Sequence, residues 1–95
     1  MEKRRQPEII AGRVNADGSI AAGDGFTVSK TGTGSYGIAF ASSFRVVSAS
    51  ASVSTGGNLI FPFGFGSSNF AVSTTTAAGA AADVQFSFVA AGVQT

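Results

Sequence analysis

Ninety-five residues suffice for one domain, and a net charge of +1 points to no strongly charged partner. The chain has no Cys and no His, which removes thiolate nucleophiles, imidazole bases, disulfide frameworks and ordinary zinc sites. A single Leu argues against a helical bundle, whereas 44% hydrophobic residues with nine Phe argue against disorder.

Charged residues are only 12% of the chain, and five of the eleven (Glu2, Lys3, Arg4, Arg5 and Glu8) lie in the first eight positions. Residues 1–8 therefore read as an extended N-terminal arm, with Lys3, Arg4, Arg5 and Pro7 as the candidate partner-binding residues. The basic start is not expected to be a secretion signal, since Gln6-Pro7-Glu8 follows it in place of a long apolar run. No stretch approaches the ~20 apolar residues of a spanning helix, so no membrane partner is expected.

Residues 9–95 read as one domain of period-two segments separated by turns. Strands are predicted over 9–14, 26–30, 35–41, 44–54, 58–65, 69–75 and 82–91. Phe26 shares a face with Val28, as do Tyr36, Ile38 and Phe40. In the fourth segment Val47, Ala49, Ala51 and Val53 oppose a row of serines. Leu59, Phe61, Phe63 and Phe65 alternate with Pro62 and Gly64, which marks that strand as an edge or bent one. Val84, Phe86, Phe88 and Ala90 share a face at the end of the chain. Gly-, Asn- and Asp-rich runs such as Asn15-Ala16-Asp17-Gly18 and Gly56-Gly57-Asn58 supply the turns, and 77–82 is expected to be a loop. The fold class is all-β: a compact antiparallel β-sandwich of about seven to eight strands, jelly-roll-like, preceded by the arm.

The chemistry-bearing residues form no reactive set. Asp17 and Asp24 adjoin glycines, where an Asp satisfies its own turn. The thirteen Ser and eight Thr have no His to activate them, and a Ser–Lys pair using Lys30 is far less common than strand-face Ser. Thr31-Gly32-Thr33-Gly34 leads into a strand and not into the helix that a phosphate cradle requires. Asp17-Gly18-Ser19 lacks the acidic ladder of a calcium loop. The body adds no net positive charge to the arm's three cations, so nucleic acid is not an expected partner. No catalytic residue, metal or cofactor is expected.

Only six of the 87 residues from Ile9 to Thr95 are charged, far below the ~25–35% of a typical soluble surface. Such a body suits a domain whose outside is covered by neighbours. Nine Phe exceed what one small sandwich needs inside, which makes Phe61, Phe63 and Phe65 the candidate oligomer interface. Edge strands have few guards, namely Lys30, Arg45 and Pro62.

The run Gly25-Phe26-Thr27-Val28-Ser29-Lys30-Thr31-Gly32-Thr33-Gly34-Ser35-Tyr36-Gly37-Ile38-Ala39-Phe40 resembles a recurrent segment of small bacteriophage virion domains. Phe86-Ser87-Phe88-Val89-Ala90-Ala91-Gly92 is similar to their last strand. The resemblance covers 23 of 95 residues and carries no catalytic residue. It implies a β-sandwich of tail fibres, appendages or accessory capsid proteins, often trimeric, located in the virion.

With no fibre shaft or coiled-coil repeat, the reading favours a capsid decoration protein over a complete tail fibre. Its expected partners are a major capsid or tail protein and copies of itself, with a homotrimer favoured. The alternative is a tail-fibre or tail-tip receptor-binding module, which needs exposed groups at loop ends such as Tyr36, Asn58 or Asn69.

Overall fold

The computed structural model describes residues 7–53 and 56–94. Among them there is no helix, and eight strands follow in order: β1 (Pro7–Val14), β2 (Ile20–Ala22), β3 (Phe26–Gly32), β4 (Ser35–Phe40), β5 (Phe44–Val53), β6 (Asn58–Phe63), β7 (Asn69–Thr76) and β8 (Phe86–Gln94). They form two antiparallel four-stranded sheets, β2-β1-β8-β5 (sheet A) and β3-β4-β7-β6 (sheet B). This is the expected antiparallel sandwich, with its first and last strands side by side.

The core is aromatic because alternation delivers one Phe or Tyr after another to the inner faces. Phe26, Tyr36, Phe40, Phe44, Phe70, Phe86 and Phe88 are all buried, with Val14, Ile38, Val72 and Ala90 between them. Phe88 meets Phe26 edge-on at 4.8 Å between ring centres, and also approaches Phe70 and Phe40. Gly12 makes room for this cluster: a Cβ there would lie 2.3 Å from the Phe26 ring.

Several boundaries differ from the sequence reading, each for a physical reason. β1 starts at Pro7, and Pro7 and Glu8 register with Val93 and Gly92, so the first sheet reaches into the charged segment. β2 was not predicted. Its three residues are all exposed and carry no alternation, and it exists because the Asn15–Ser19 turn folds it back along Arg13 and Val14. The last strand begins at Phe86, four residues later than expected, because the Ala82 carbonyl accepts from the Thr74 hydroxyl and Ala81 bridges to Thr75. Val84 is nevertheless buried, as its place in the pattern implied. Residues 77–82 form a loop, as expected.

The predicted inward row Val47, Ala49, Ala51, Val53 needs one correction. The register shifts between Val46 and Ser48, so Val46 packs on the core and Val47 is thrown out, 69% exposed. A single bulged residue reverses the side-chain alternation beyond it. Ser54, the last residue of that predicted strand, lies outside the described residues.

Candidate interaction face

The outer surface of sheet B follows from the pairing register. Because Phe26, Ile38, Phe70 and Ile60 point inward, the residues between them point out. Level by level, Phe63 lies beside Ala71, then Gly37, then Ser29; one step along, Asn69 lies beside Ala39 and Thr27. Phe61 lies beside Ser73 and Ser35, and Leu59 beside Thr75. Among the described residues none on this face is charged.

The face has relief. Leu59, Phe61 and Phe63 on β6 are 43%, 50% and 52% exposed and form an apolar ridge along one edge. Next to it, over Gly37, Ala39 and Ala71, small side chains leave a shallow open hollow of about 320 Å³, also bounded by Thr27, Ser29 and Asn69.

Of the three Phe singled out from the sequence, Phe61 and Phe63 stand on this ridge and Phe65 does not. Gly64 adopts φ of 66°, and the chain beyond it turns so that the Phe65 ring stacks on buried Phe70 at 5.5 Å. The expected sharing of one face thus holds for Leu59, Phe61 and Phe63, while the left-handed glycine sends Phe65, itself 49% exposed, against the end of the core at Phe70.

The outer face of sheet A differs. It carries Arg13, whose Nε donates to the Ser87 hydroxyl, and Arg45. The few guards the sequence offers all lie on edge strands, and the β5 edge is also met by the loop between β6 and β7, where the Val46 N–H donates to the Ser67 carbonyl. Lys30 is on edge strand β3, Arg45 on edge strand β5 and Pro62 on edge strand β6, while the remaining edge, β2, is three residues long. Charged, proline-bearing and very short edges all resist strand addition.

The remaining polar groups serve the fold. Asp17 accepts from both the backbone N–H and the hydroxyl of Ser19, which holds its carboxyl below the usual range and closes the predicted turn. Asp83 accepts from the Gly34 N–H at 2.8 Å and from Lys30 Nζ at 3.1 Å. These contacts, the backbone one foremost, lower its pKa. Lys30, weighed from the sequence as a partner for a serine, is thus bound to Asp83 and to the Gly32 carbonyl. Among the described residues no three His, Cys, Asp or Glu side chains come together as a metal site.

The groups expected at loop ends for receptor binding are not brought together. Tyr36 is buried and its hydroxyl donates to the Ala16 carbonyl, so its expected exposure is corrected; the aromatic position in the alternation outweighs its polar tip. Asn58 donates to the Thr75 carbonyl, and Asn69 is exposed at the start of β7. Lys3, Arg4 and Arg5 lie outside the described residues, while the backbone of Pro7 opens β1.

The segments that carry the virion resemblance form the β3–β4 hairpin, with its preceding Gly25, and most of β8. Comparison with known proteins finds no matching family model, no matching curated protein and no matching solved structure.

Proposed function

We propose that this chain is a non-enzymatic structural subunit of a bacteriophage virion, a small capsid decoration or accessory protein that works by packing against other subunits. The observation that carries the reading is the uncharged outer face of sheet B with Phe61 and Phe63 half exposed upon it. Solvent-facing sheet surfaces normally carry charge, and exposed contiguous apolar surface marks a place where another molecule sits. Interface centres are likewise depleted in charge and enriched in aromatic residues. The resemblance of the Gly25–Phe40 and Phe86–Gly92 segments to virion domains supports a virion as the setting. The basic residues Lys3, Arg4 and Arg5, which precede β1 in the sequence, add positive charge suited to an acidic patch on a shell protein. Repeated weak contacts suffice in such a setting, because a symmetric particle offers many sites at once.

Electron microscopy and peptide mass analysis of particles made from the genome that encodes the chain test this reading. The expected result is stoichiometric chain on the particle surface, lost when residues 1–6 are removed although the truncated domain still folds. Recovery of the chain only in the soluble fraction after particles are pelleted overturns it.

A further inference from the structure

We infer that the outer face of sheet B is self-complementary and pairs two copies of this chain through a two-fold axis running along the strands. The inference rests on the reading of the chain as an assembly subunit and names the surface and partner that do the assembling.

The face divides lengthwise into unlike halves. One edge carries Leu59, Phe61 and Phe63, which rise above the sheet. The other half carries Thr27, Ser29, Gly37 and Ala39, and the hollow lies over it and reaches Ala71 on β7 at the middle of the face. A surface with a ridge on one side and a hollow on the other fits a copy of itself rotated by half a turn, which is the requirement of an isologous interface.

The pairing register fixes which strands meet. Across the sheet the order is β3-β4-β7-β6. An axis between β4 and β7 exchanges β6 with β3 and β7 with β4. Because the two-fold preserves position along the strands, Phe63 of one copy lies over Ser29 of the other, since both belong to the level Phe63–Ala71–Gly37–Ser29. Sheets pack face to face at ~10 Å. Two Phe-sized side chains meeting there need more depth, and small residues opposite the ridge provide it. Opposite Phe63 lies Ser29, and opposite Phe61 lies Gly32, level with it through Ser73 and Ser35, where an added Cβ would meet nothing within 4 Å.

The alternatives for a second copy are weaker. Edge-to-edge pairing through β6 meets Pro62, a residue confined to edges because it has no N–H to donate to a further strand. Pairing through the outer face of sheet A would bring the cations Arg13 and Arg45 into the contact. The size is also adequate. Four strands about 4.8 Å apart and six residues long span roughly 19 by 20 Å. Two such corrugated faces hide on the order of 1,000 Å² together, the level at which a specific interface begins.

The test uses the full chain. Phe63→Asp removes the ridge and Ser29→Lys blocks the hollow. Each alone should sediment as a single chain, with the dissociation constant raised at least tenfold over wild type. Mixed in equal amounts, they should re-form a dimer, since one contact is intact and the other now joins Asp to Lys. A second measurement needs no charged variant. The chain has no Cys, so Phe63→Cys and Ser29→Cys each place one thiol. A short bis-maleimide should join the mixture of the two into dimers and leave either alone unjoined.

A mixture that stays monomeric and does not cross-link overturns the face pairing. So does a wild-type chain that is three-fold or monomeric, even where it still enters particles, and in that case the assembly reading stands. A wild-type dimer with the expected cross-links that never enters a particle leaves the pairing and removes the virion reading.

Discussion

Phe88→Ala and Phe63→Ala delete the same atoms, one from each sheet, and the structure assigns them opposite consequences. Phe88 is 2% exposed and its ring touches those of Phe26, Phe40 and Phe70. Truncating a buried Phe costs about 3–5 kcal/mol, and three edge-on partners place this site at the upper end, about 4–5 kcal/mol. With an unfolding entropy of roughly 2.1 cal/mol/K per residue, a 95-residue chain loses on the order of 20 °C in Tm. That is a large share of the ~5–15 kcal/mol that holds a domain together. Phe63, already half exposed, gives up about 1 kcal/mol of burial and about 5 °C. Its truncation should instead raise the dissociation constant of the dimer by tenfold or more. Calorimetry at concentrations low enough to keep wild type monomeric separates the two effects. Equal losses of Tm in the two variants, or a larger one for Phe63→Ala, would refute the division of the aromatics into a core set and a surface set.

Gly12→Ala should lower Tm by overpacking, at about 1–3 kcal/mol, because its Cβ would collide with the Phe26 ring; a neutral change in a denaturant titration would contradict that close packing. Tyr36→Phe should cost about 1 kcal/mol through loss of the 2.7 Å bond to the Ala16 carbonyl, read from the urea midpoint at constant slope. Stability should also depend on pH at both extremes. Asp17, held down by the Ser19 hydroxyl, and Asp83, held down chiefly by the Gly34 N–H, have lowered carboxyl pKa values. The stability they contribute is whole above the unfolded value of about 3.9 and is lost as pH falls through the folded values. Tyr36, raised by its burial, contributes stability that is whole below about pH 10 and lost as pH rises further. Melting curves across pH should show both limbs, and Asp83→Asn should flatten the acid one; an acid limb unchanged in that variant contradicts the role given to the Asp83 contacts.

The sandwich was legible in the sequence because its inner residues are large and strictly alternate. Tyr36, Ile38 and Phe40, and likewise Phe86, Phe88 and Ala90, reach the core as their spacing implies. Features that depend on a single backbone residue were not. The bulge at Val47 reverses the alternation without changing composition. Pro62 and Gly64 mark β6 as an edge or bent strand, which it is, but do not reveal that Phe65 leaves the shared face. β2 has no pattern of its own and exists through its hairpin partner.

The candidate face was half legible. Surplus Phe pointed to β6, and Phe61 and Phe63 are exposed there, but which neighbours complete the face depends on strand order. Only the pairing of β7 with both β4 and β6 brings Gly37, Ala71 and Phe63 to one level. The guards Lys30, Arg45 and Pro62 were visible as residues, and their meaning came from lying on three different edges.

The central claim, that the uncharged face of sheet B is the working surface, is tested most directly by hydroxyl-radical footprinting of the chain across a concentration series. Phe61 and Phe63 should be oxidised readily in dilute solution and become protected as the chain associates, while Ile9, Val47 and Val89, exposed elsewhere, stay reactive. Protection of Ile9, Val47 and Val89 with Phe61 and Phe63 left unchanged would contradict it.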